Sequence, residues 1–389
     1  MKKYDWIVIG GGITGSALAY ELAKKGLSVL LLEKDVRPQN ATAYSYGGLA
    51  YWSGTTKLTR QLCQEGIAIH RQLSAELAAD TQFRELDLVL TINAEDDPQE
   101  VAAGYAQFAI TPRLLDVGEA CKLEPLLNPK AIAGVLQLPH GHIHPEETNL
   151  AYQQAFLRLK QEIIIEQVIE LLQEKETILG VKTRQNNYYA ENTVVCAGGF
   201  SRSLLQKVGI KVKVYFTHAQ LIRTPPSEIQ LKTLVMPAKL QRLNLEATAV
   251  KSEMEELWEK QTQELITGVM EAGAIQFLDG SFCLGQISQI ITDPEAEINP
   301  KISEETIRNG VGKILPALAN LPGNWRNCLV AFAPNSLPLV GAINGFKGIH
   351  FFNGFTSTLI FAPPLARHFA NWAAGEKDEV MIQITLNNC

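Results

Sequence analysis

The 389-residue sequence has no excess of positive charge, with 35 lysine and arginine residues against 41 aspartate and glutamate residues. Nucleic acids and anionic membrane surfaces attract basic patches, so a net charge of −6 argues against both as partners. The chain also lacks a long uninterrupted apolar run. Its most apolar region, residues 348–374, contains Pro363, Pro364, Arg367 and His368, which argues against a membrane span.

Cysteine is scarce, and no two cysteines stand at the short spacing that is typical of a zinc site or a disulfide framework. This scatter predicts reduced thiols in a cytoplasmic protein. A secretory signal is not expected either, because the apolar residues after Lys3 belong to a predicted first strand. The six cysteines are Cys63, Cys121, Cys196, Cys283, Cys328 and Cys389.

A metal site is also not expected, although three histidines alternate along the sequence. His140, His142 and His144 would share one face of a strand. No cysteine or carboxylate accompanies them at ligand spacing beyond Glu146 and Glu147, so we favour a structural role for this stretch.

What the sequence does contain is a complete dinucleotide-binding unit at its N-terminus. The apolar run 6–9 is followed at once by a turn with Gly10, Gly12 and Gly15, and the next apolar run ends at Glu33. The glycines permit a tight turn, close approach of the backbone to a pyrophosphate, and close packing of the helix on the strand. The N-terminus of that helix attracts phosphates, and a carboxylate at Glu33 accepts hydrogen bonds from a ribose.

Hydrophobic periodicity and turn residues predict several further elements. We expect helices at about 56–77, 150–160, 250–271 and 364–374. A β-hairpin is expected over residues 274–287, turning at Asp279-Gly280. The apolar stripe of the 250–271 helix is expected to pack on a sheet, and an oligomer contact or an active-site cover is the alternative.

Beyond the N-terminal unit, the chain resembles the D-amino-acid oxidase superfamily of FAD enzymes, nearest to its glycine oxidase and monomeric sarcosine oxidase branch. The resemblance covers nearly the whole length. The segments that carry it are Glu124-Pro125, Gly141–Pro145, Thr193–Ser201, His218-Ala219-Gln220, Asp279–Gly285, Pro334–Gly341 and Asn353–Pro363.

The resemblance implies an α/β (α+β overall) fold with two domains. A Rossmann-type FAD-binding domain would take residues 1–80, 145–210 and 325–389. A smaller substrate domain with a mixed or antiparallel sheet would take residues 81–144 and 211–324.

The same resemblance implies FAD as the cofactor. Glu33 would bind the adenosine ribose, the backbone of Val168 the adenine, and Thr42 and Gly48 would lie beside the flavin. The implied FAD-binding residues are Gly10, Gly12, Ile13, Thr14, Gly15, Glu33, Lys34, Thr42, Ser45, Gly47, Gly48, Val168, Ala197, Gly198, Gly354, Phe355, Thr356, Ser357 and Thr358.

Members of this family oxidise a C–N bond by passing a hydride to flavin N5, and an arginine commonly pairs with the substrate carboxylate. Both family arginine positions differ in this chain. The run 328–331 lacks one, and Thr356 stands at the other. Arg326 is a weak substitute, since a solvated loop arginine is the simpler interpretation. These losses point to a small amine or amine-like substrate without the usual clamp.

Two cysteines occupy family positions of functional interest. Cys283 stands where sarcosine-oxidase-like members place a lysine that assists reduction of O₂, which leaves an oxidase and a dehydrogenase with another electron acceptor both open. Cys328 coincides with the cysteine that carries the flavin covalently in those members. The alternative for Cys328 is a small buried hydrophobic residue, the commoner fate of a free cysteine.

The substrate-pocket candidates are Tyr215, His218, Cys283 and Thr356. The leading hypothesis is an FAD-dependent oxidoreductase acting on a small amine or amino-acid-like molecule. One alternative is an FAD-dependent hydroxy-acid dehydrogenase that uses a quinone or carrier protein. Another is a flavin-binding assembly or regulatory protein with little turnover.

Overall fold

The computed structural model describes residues 3–335 and 337–387. Ser336, in one of the family-like segments, and Cys389 lie outside the described residues. The strands are β1 (Lys3–Ile9), β2 (Val29–Glu33), β3 (Gly48–Leu49), β4 (Arg84–Asn93), β5 (Arg113–Leu115), β6 (Ile132–His142), β7 (Glu162–Ile165), β8 (Val168–Glu174), β9 (Thr177–Thr183), β10 (Asn187–Val195), β11 (Tyr215–Arg223), β12 (Leu234–Pro237), β13 (Thr267–Gln276), β14 (Phe282–Ile290), β15 (Asn324–Phe332), β16 (Leu339–Ala342) and β17 (Ile349–Asn353). The helices are α1 (Ile13–Lys24), α2 (Lys57–Glu76), α3 (Pro98–Ala103), α4 (Val117–Leu123), α5 (Pro145–Arg158), α6 (Ser201–Gln206), α7 (Gln241–Ala249), α8 (Glu255–Lys260), α9 (Pro300–Ile314), α10 (Thr358–Ala373) and α11 (Glu379–Asn387).

The first sheet has the strand order β16-β17-β10-β1-β2-β7, and β8 and β9 extend it from β10. Its centre is parallel, with β1 between β2 and β10. Residues 6–9 of β1 and residues 29–32 of β2 are all apolar because helices cover this sheet, and α1 packs against α5 and α10. The carboxyl ends of β1, β2 and β10 therefore meet at one edge, where α1 begins.

The second sheet has the order β15-β11-β14-β13-β12-β4-β6-β3, with β5 beside β6. It is mixed, because β12 and β4 run parallel while its other pairs are antiparallel. Strand β15 belongs to this sheet up to Phe332. Strand β3, from the N-terminal segment, also joins this sheet.

Three sequence predictions agree with the elements. Helix α2 begins after Thr56, whose hydroxyl accepts a hydrogen bond from the amide of Thr59 and caps the helix. Helix α5 contains most of the predicted 150–160 helix. Strands β13 and β14 form the predicted hairpin.

The predicted helix over residues 250–271 is wrong. Helix α8 ends at Lys260, Gln261 has a φ of +52°, and strand β13 begins at Thr267. Pairing of β13 with β14 overrides the helical spacing of the apolar residues. The stripe is divided as a result, since Trp258 packs against Tyr215 and Phe216 instead of sharing a helix face with residues of β13.

The C-terminal helix starts six residues earlier than predicted, at Thr358. Pro363 and Pro364 therefore lie inside α10 and do not mark its beginning. A proline at 363 cannot donate to the carbonyl of Leu359. Nε2 of His70, on α2, donates to that carbonyl at 2.8 Å instead. Burial lowers the pKa of His70 to about 4, so the imidazole that fills this place is neutral.

Candidate active site

A cleft of about 630 Å³ opens at the carboxyl ends of the parallel strands of the first sheet. It is the position at which open α/β sheets bind dinucleotides. Twelve of the predicted FAD-binding residues line it. They are Gly10, Gly12, Ile13, Thr14, Glu33, Lys34, Thr42, Val168, Ala197, Gly198, Phe355 and Thr358.

Glycine is required at one position in the turn between β1 and α1 and at one position in the first turn of α1. Gly10 has a φ of +104°, and a Cβ atom there would lie 2.6 Å from the carbonyl oxygen of Cys196. A Cβ atom at Gly15 would lie 1.9 Å from the carbonyl oxygen of Gly10. Gly15 does not line the cleft itself, but it lets α1 pack closely against the turn that forms it.

The first turn of α1 presents free amide groups to the cleft. The amide of Ile13 donates to Oγ1 of Thr42 at 3.0 Å, which ties the helix to the loop after β2. No hydrogen bond joins the amides of Gly12 or Thr14 to an acceptor in the described part of the chain. These donors and the positive end of the helix dipole match a pyrophosphate, so the residues fit the anionic centre of FAD.

Glu33 holds the loop beneath this site as well as lining it. One carboxylate oxygen accepts from the amide of Gly11 at 2.7 Å, and the other accepts from the amides of Lys34 and Asp35. A carboxylate has about four acceptor positions, so capacity for a ribose hydroxyl remains. The side chain is buried, which fixes its orientation.

A second cavity, of about 660 Å³, lies between the first sheet's cofactor edge and one face of the second sheet. Ser45, Gly48, Thr356 and Ser357 line it, as predicted for residues beside the flavin. The cavity and the cleft adjoin each other, because they share a set of wall residues. These junction residues are Ile13, Ala41, Thr42, Cys328, Val330 and Thr358.

Three of the four substrate-pocket candidates do not line this cavity; only Thr356 does. Tyr215 is buried, and its hydroxyl donates to the carboxylate of Glu255 at 2.8 Å. His218 is fully buried and donates from Nε2 to the carbonyl oxygen of Asp293 at 2.9 Å.

Cys283, the remaining candidate, is fully buried in an apolar cluster behind the wall residue Tyr46. Burial raises the pKa of its thiol to about 11. Gly47 and Gly354, predicted at the flavin, also lie off the walls, with φ values of +78° and +77° that shape the two loops.

Arg326, the weak substitute for a family arginine, and Cys328, the possible site of covalent flavin attachment, lie two residues apart on β15. Cys328 is buried at the junction, its Sγ lies 3.8 Å from the carbonyl oxygen of Ala219, and burial raises its pKa to about 12. The guanidinium carbon of Arg326 lies 5.9 Å from the ring centre of Tyr44. Tyr44 lines the cavity whereas Arg326 does not, so the arginine stands behind an aromatic wall.

The alternating histidines hold aromatic wall segments in place. His140 accepts from the indole N–H of Trp52 at 3.0 Å, and His142 donates to the carbonyl oxygen of Tyr46. Burial lowers the pKa of each to about 3, and both are neutral. His144 instead caps α5. Within residues 3–335 and 337–387, no group of three potential ligands could hold a metal ion.

Sequence reasoning missed the charged end of the cavity. Arg242 and Glu246 reach it from α7, and Glu271 reaches it from β13. The i, i+4 spacing of Arg242 and Glu246 was the available signal, but residues 241–249 were not predicted as a helix. Glu271 was placed at the end of a helix that does not exist.

The parallel sheet, the glycine turn and the adjoining cavity are the arrangement expected of a dinucleotide-dependent oxidoreductase. A model of the "FAD dependent oxidoreductase" (DAO) family matches residues 5–372, and the chain belongs to that family. The predicted family, fold class and cofactor FAD are thereby confirmed. No helix in the described part of the chain is both long and apolar enough to cross a bilayer.

Several known proteins are similar to this chain. The 4-methylaminobutanoate oxidase (formaldehyde-forming) of Paenarthrobacter nicotinovorans is 24% identical over 375 residues, which span 94% of this chain and 43% of that protein. Thus the chain matches less than half of that relative's length. The glycine oxidase of Geobacillus kaustophilus is 24% identical over 266 residues, 64% of this chain and 70% of that protein. The crystal structure of glycine oxidase from Bacillus cereus shares the fold, with a TM-score of 0.78, 20% identity and coverage of 98% of this chain and all of that one.

Proposed function

We propose that this protein oxidises a C–N bond of a small amine or amino-acid-like substrate. The observation that carries the proposal is the junction, where the cavity adjoins the dinucleotide cleft at Cys328, Val330 and Thr358. A molecule in the cavity would meet the redox-active part of the cofactor at this junction. The relatives named as oxidases of methylaminobutanoate and of glycine support an amine as the reacting group.

Each part of the cleft has a role in holding the cofactor. The amides of Gly12 and Thr14 would bind the pyrophosphate, Glu33 the ribose, and Val168 the adenine. Thr42 and Thr358, at the junction, would lie nearest the ring system. FAD, when bound, supplies the acceptor for the hydride that leaves the substrate carbon.

The cavity itself supplies a dry environment for the reaction. Leucine and valine side chains form much of its wall, including Leu88, Leu90, Leu221 and Val330. Exclusion of water strengthens electrostatic interactions with a bound amine and protects the product from premature hydrolysis. The resulting imine would be hydrolysed after release.

The charges of the cavity favour an amine over a hydroxy acid. Among the described lining residues, the cationic side chains are Lys239 and Arg242. Lys239 pairs with Asp96 at 2.7 Å, and Arg242 lies beside Glu246, with 3.7 Å between the charged groups. A substrate carboxylate would therefore meet no unpaired cation among these residues. This weighs against the hydroxy-acid alternative and, within the proposal, favours a plain amine over an amino acid.

An anaerobic titration of the FAD-loaded protein with amines, amino acids and hydroxy acids tests the proposal. We expect rapid bleaching of the flavin absorbance by at least one amine and none by the hydroxy acids. Dithionite reduction serves as the control that the flavin is reducible. Bleaching by hydroxy acids alone would contradict the proposal. After bleaching by an amine, readmission of air would separate an oxidase, whose flavin is rapidly reoxidised, from a dehydrogenase.

A further inference from the structure

The charged end of the cavity lies far from the junction. Cys328 on β15 faces Ala219 on β11, and β14 and β13 follow in the sheet. Gln286 of β14 and Glu271 of β13 line the same cavity. With about 4.8 Å between neighbouring strands, Glu271 lies roughly 14 Å from β15 across the sheet.

Two buried carboxylates meet one arginine at this end. Glu246 and Glu271 are 6% and 8% exposed. Oε1 of Glu246 has no hydrogen-bond partner, although Nη1 of Arg242 lies 3.7 Å away, and Glu271 accepts from the backbone amide of Arg242 at 3.1 Å. Burial raises the pKa of both carboxyl groups. A single guanidinium thus leaves one buried negative charge without a counterion when both are ionised.

Aromatic side chains line the same cavity as these carboxylates. Tyr105 and Phe108 have ring centres 5.3 Å apart, and Trp52 lies 5.3 Å from Phe108. The hydroxyl of Tyr105 donates to the carbonyl oxygen of Ala238 at 2.6 Å, which fixes its ring. After burial, the charge of Glu271 contributes to raising the pKa of Tyr105. Aromatic faces beside carboxylates attract ammonium groups.

Tyr46 adds an unused polar group on the same side. Its hydroxyl is buried without a hydrogen-bond partner, and its ring lines the cavity. Burial, then Cys283 and then Glu271 raise the pKa of Tyr46, so its hydroxyl stays protonated. The hydroxyl is therefore a neutral group that can accept a hydrogen bond from a ligand N–H.

We propose that Glu246 and Glu271 bind a second, cationic nitrogen of the substrate. Together with Arg242, Tyr46 and Tyr105, which line the same cavity, they form what we call the acidic cage. The substrate is then a long linear diamine or a polyamine, with its reacting nitrogen at the junction and another nitrogen in the cage. The identity of the reacting end rests on the proposed function, whereas binding in the cage is measured independently of the reaction.

A carboxylate is the wrong occupant for the acidic cage. It could approach Arg242, but it would bring a third negative charge next to Glu246 and Glu271 in a buried site. An ammonium group reverses the balance, because it supplies the missing counterion and donates to the free oxygen of Glu246. The apolar wall between cage and junction matches the methylene chain of such a molecule.

Calorimetry on the FAD-loaded protein, reduced beforehand with dithionite so that no turnover occurs, tests the cage. Spermidine and 1,8-diaminooctane, which are long enough to reach from the junction to the cage, should bind about tenfold or more tightly than octylamine, and 8-aminooctanoate should bind no better than octylamine. Glu246→Gln and Glu271→Gln should each remove most of the diamine preference, while the exposed Glu264→Gln should retain it. Thermal unfolding of each variant checks that it folds.

Equal affinity for 1,8-diaminooctane, spermidine and octylamine in the wild type would overturn the inference, as would a full diamine preference in both cage variants. The proposed function fails separately. Cage-dependent binding of 1,8-diaminooctane to a protein whose flavin no amine reduces would support the cage and overturn the reaction. Flavin reduction by octylamine without tighter diamine binding would support the reaction and overturn the cage.

Discussion

The cofactor cleft and the substrate cavity adjoin, yet they are built in different ways. The centre of the cleft is a local unit, since residues 10–33 contribute its turn, its free amides and one carboxylate. The cavity is made of side chains from both sheets and from α7, residues that are far apart in the sequence. A ligand that any FAD enzyme must bind is served by a local motif, whereas a particular substrate is served by a constellation that only the tertiary fold assembles.

The sharpest way to break the cleft without touching the cavity is Gly15→Ala. The added Cβ atom would lie 1.9 Å from the carbonyl oxygen of Gly10, so the turn must move. We expect almost complete loss of bound FAD and about 3 kcal/mol of stability, as for overpacked cores. The measurement is flavin absorbance per protein, with thermal unfolding alongside.

Gly118→Ala is the matched control for this prediction. Gly118 is exposed on α4, and a Cβ atom there would approach only a flexible carboxylate, at 3.3 Å. This variant should retain FAD fully. Normal FAD content in Gly15→Ala would show that the close approach of α1 to the turn is not required.

Acid should weaken both regions, because each depends on buried neutral histidines. Burial lowers the pKa of His70 to about 4, on the cofactor side, and of His140 and His142 to about 3, beside the cavity. The unfolded chain binds protons below about pH 6.5 and the folded chain does not. The free energy of unfolding should therefore fall by about 1.4 kcal/mol per pH unit for each histidine as the pH drops below 6.5.

His368 should lower the free energy of unfolding as the pH rises, the opposite of the effect of the buried histidines. Its ring bridges Glu65 and Asp378 at 2.9 and 2.8 Å, and these hydrogen bonds raise its pKa despite burial. Its stabilisation is full below about pH 6.5 and is lost as the pH rises through the raised value. Denaturant unfolding at several pH values should show a maximum that His368→Gln flattens on the alkaline side. A wild-type stability that does not change between pH 6.5 and 4.5 would contradict the buried-histidine account.

A smaller change tests how firmly the cleft is tied to the cavity. Thr42→Val removes the acceptor of the Ile13 amide at the first turn of α1. Loss of such a cap costs about 1 kcal/mol, so we expect about fivefold weaker FAD binding, measured by fluorescence titration of the apoprotein. Thr306→Val, on the outer face of α9, should bind FAD normally. Unchanged affinity in Thr42→Val would mean that α1 is held by packing alone.

The smallest effect is expected at the junction. The thiolate is the reactive form of cysteine, and burial raises the pKa of Cys328 to about 12, so we expect the flavin to be held without a covalent bond. Acid precipitation should release all the flavin from the wild type and from Cys328→Ser alike. Yellow colour that stays in the wild-type pellet and leaves the Cys328→Ser pellet would establish the covalent alternative.

Particular residues show what the sequence could and could not predict. Gly10, Glu33 and Thr42 line the cleft as expected because short motifs constrain backbone within a few residues. His218 was placed on the correct strand but not on the correct face, since Ala219 and Leu221 line the cavity and neighbouring residues of a strand point to opposite sides. Glu271 and Arg242 were missed because their meeting depends on how β13 and α7 pack.

The hydrogen bond from His70 to the carbonyl oxygen of Leu359 matters for directed evolution of this protein, because it joins α2 to the start of α10. Helix α2 touches the start of α10 twice, through His70 and through Gly66, where any Cβ atom would lie 2.1 Å from the carbonyl oxygen of Ile360. Residues 356–358, immediately before, form part of the wall beside the cofactor. Libraries confined to cavity-lining positions would omit both residues. A screen for altered turnover should nevertheless recover substitutions along α2, because that helix sets the position of a loop it does not contain.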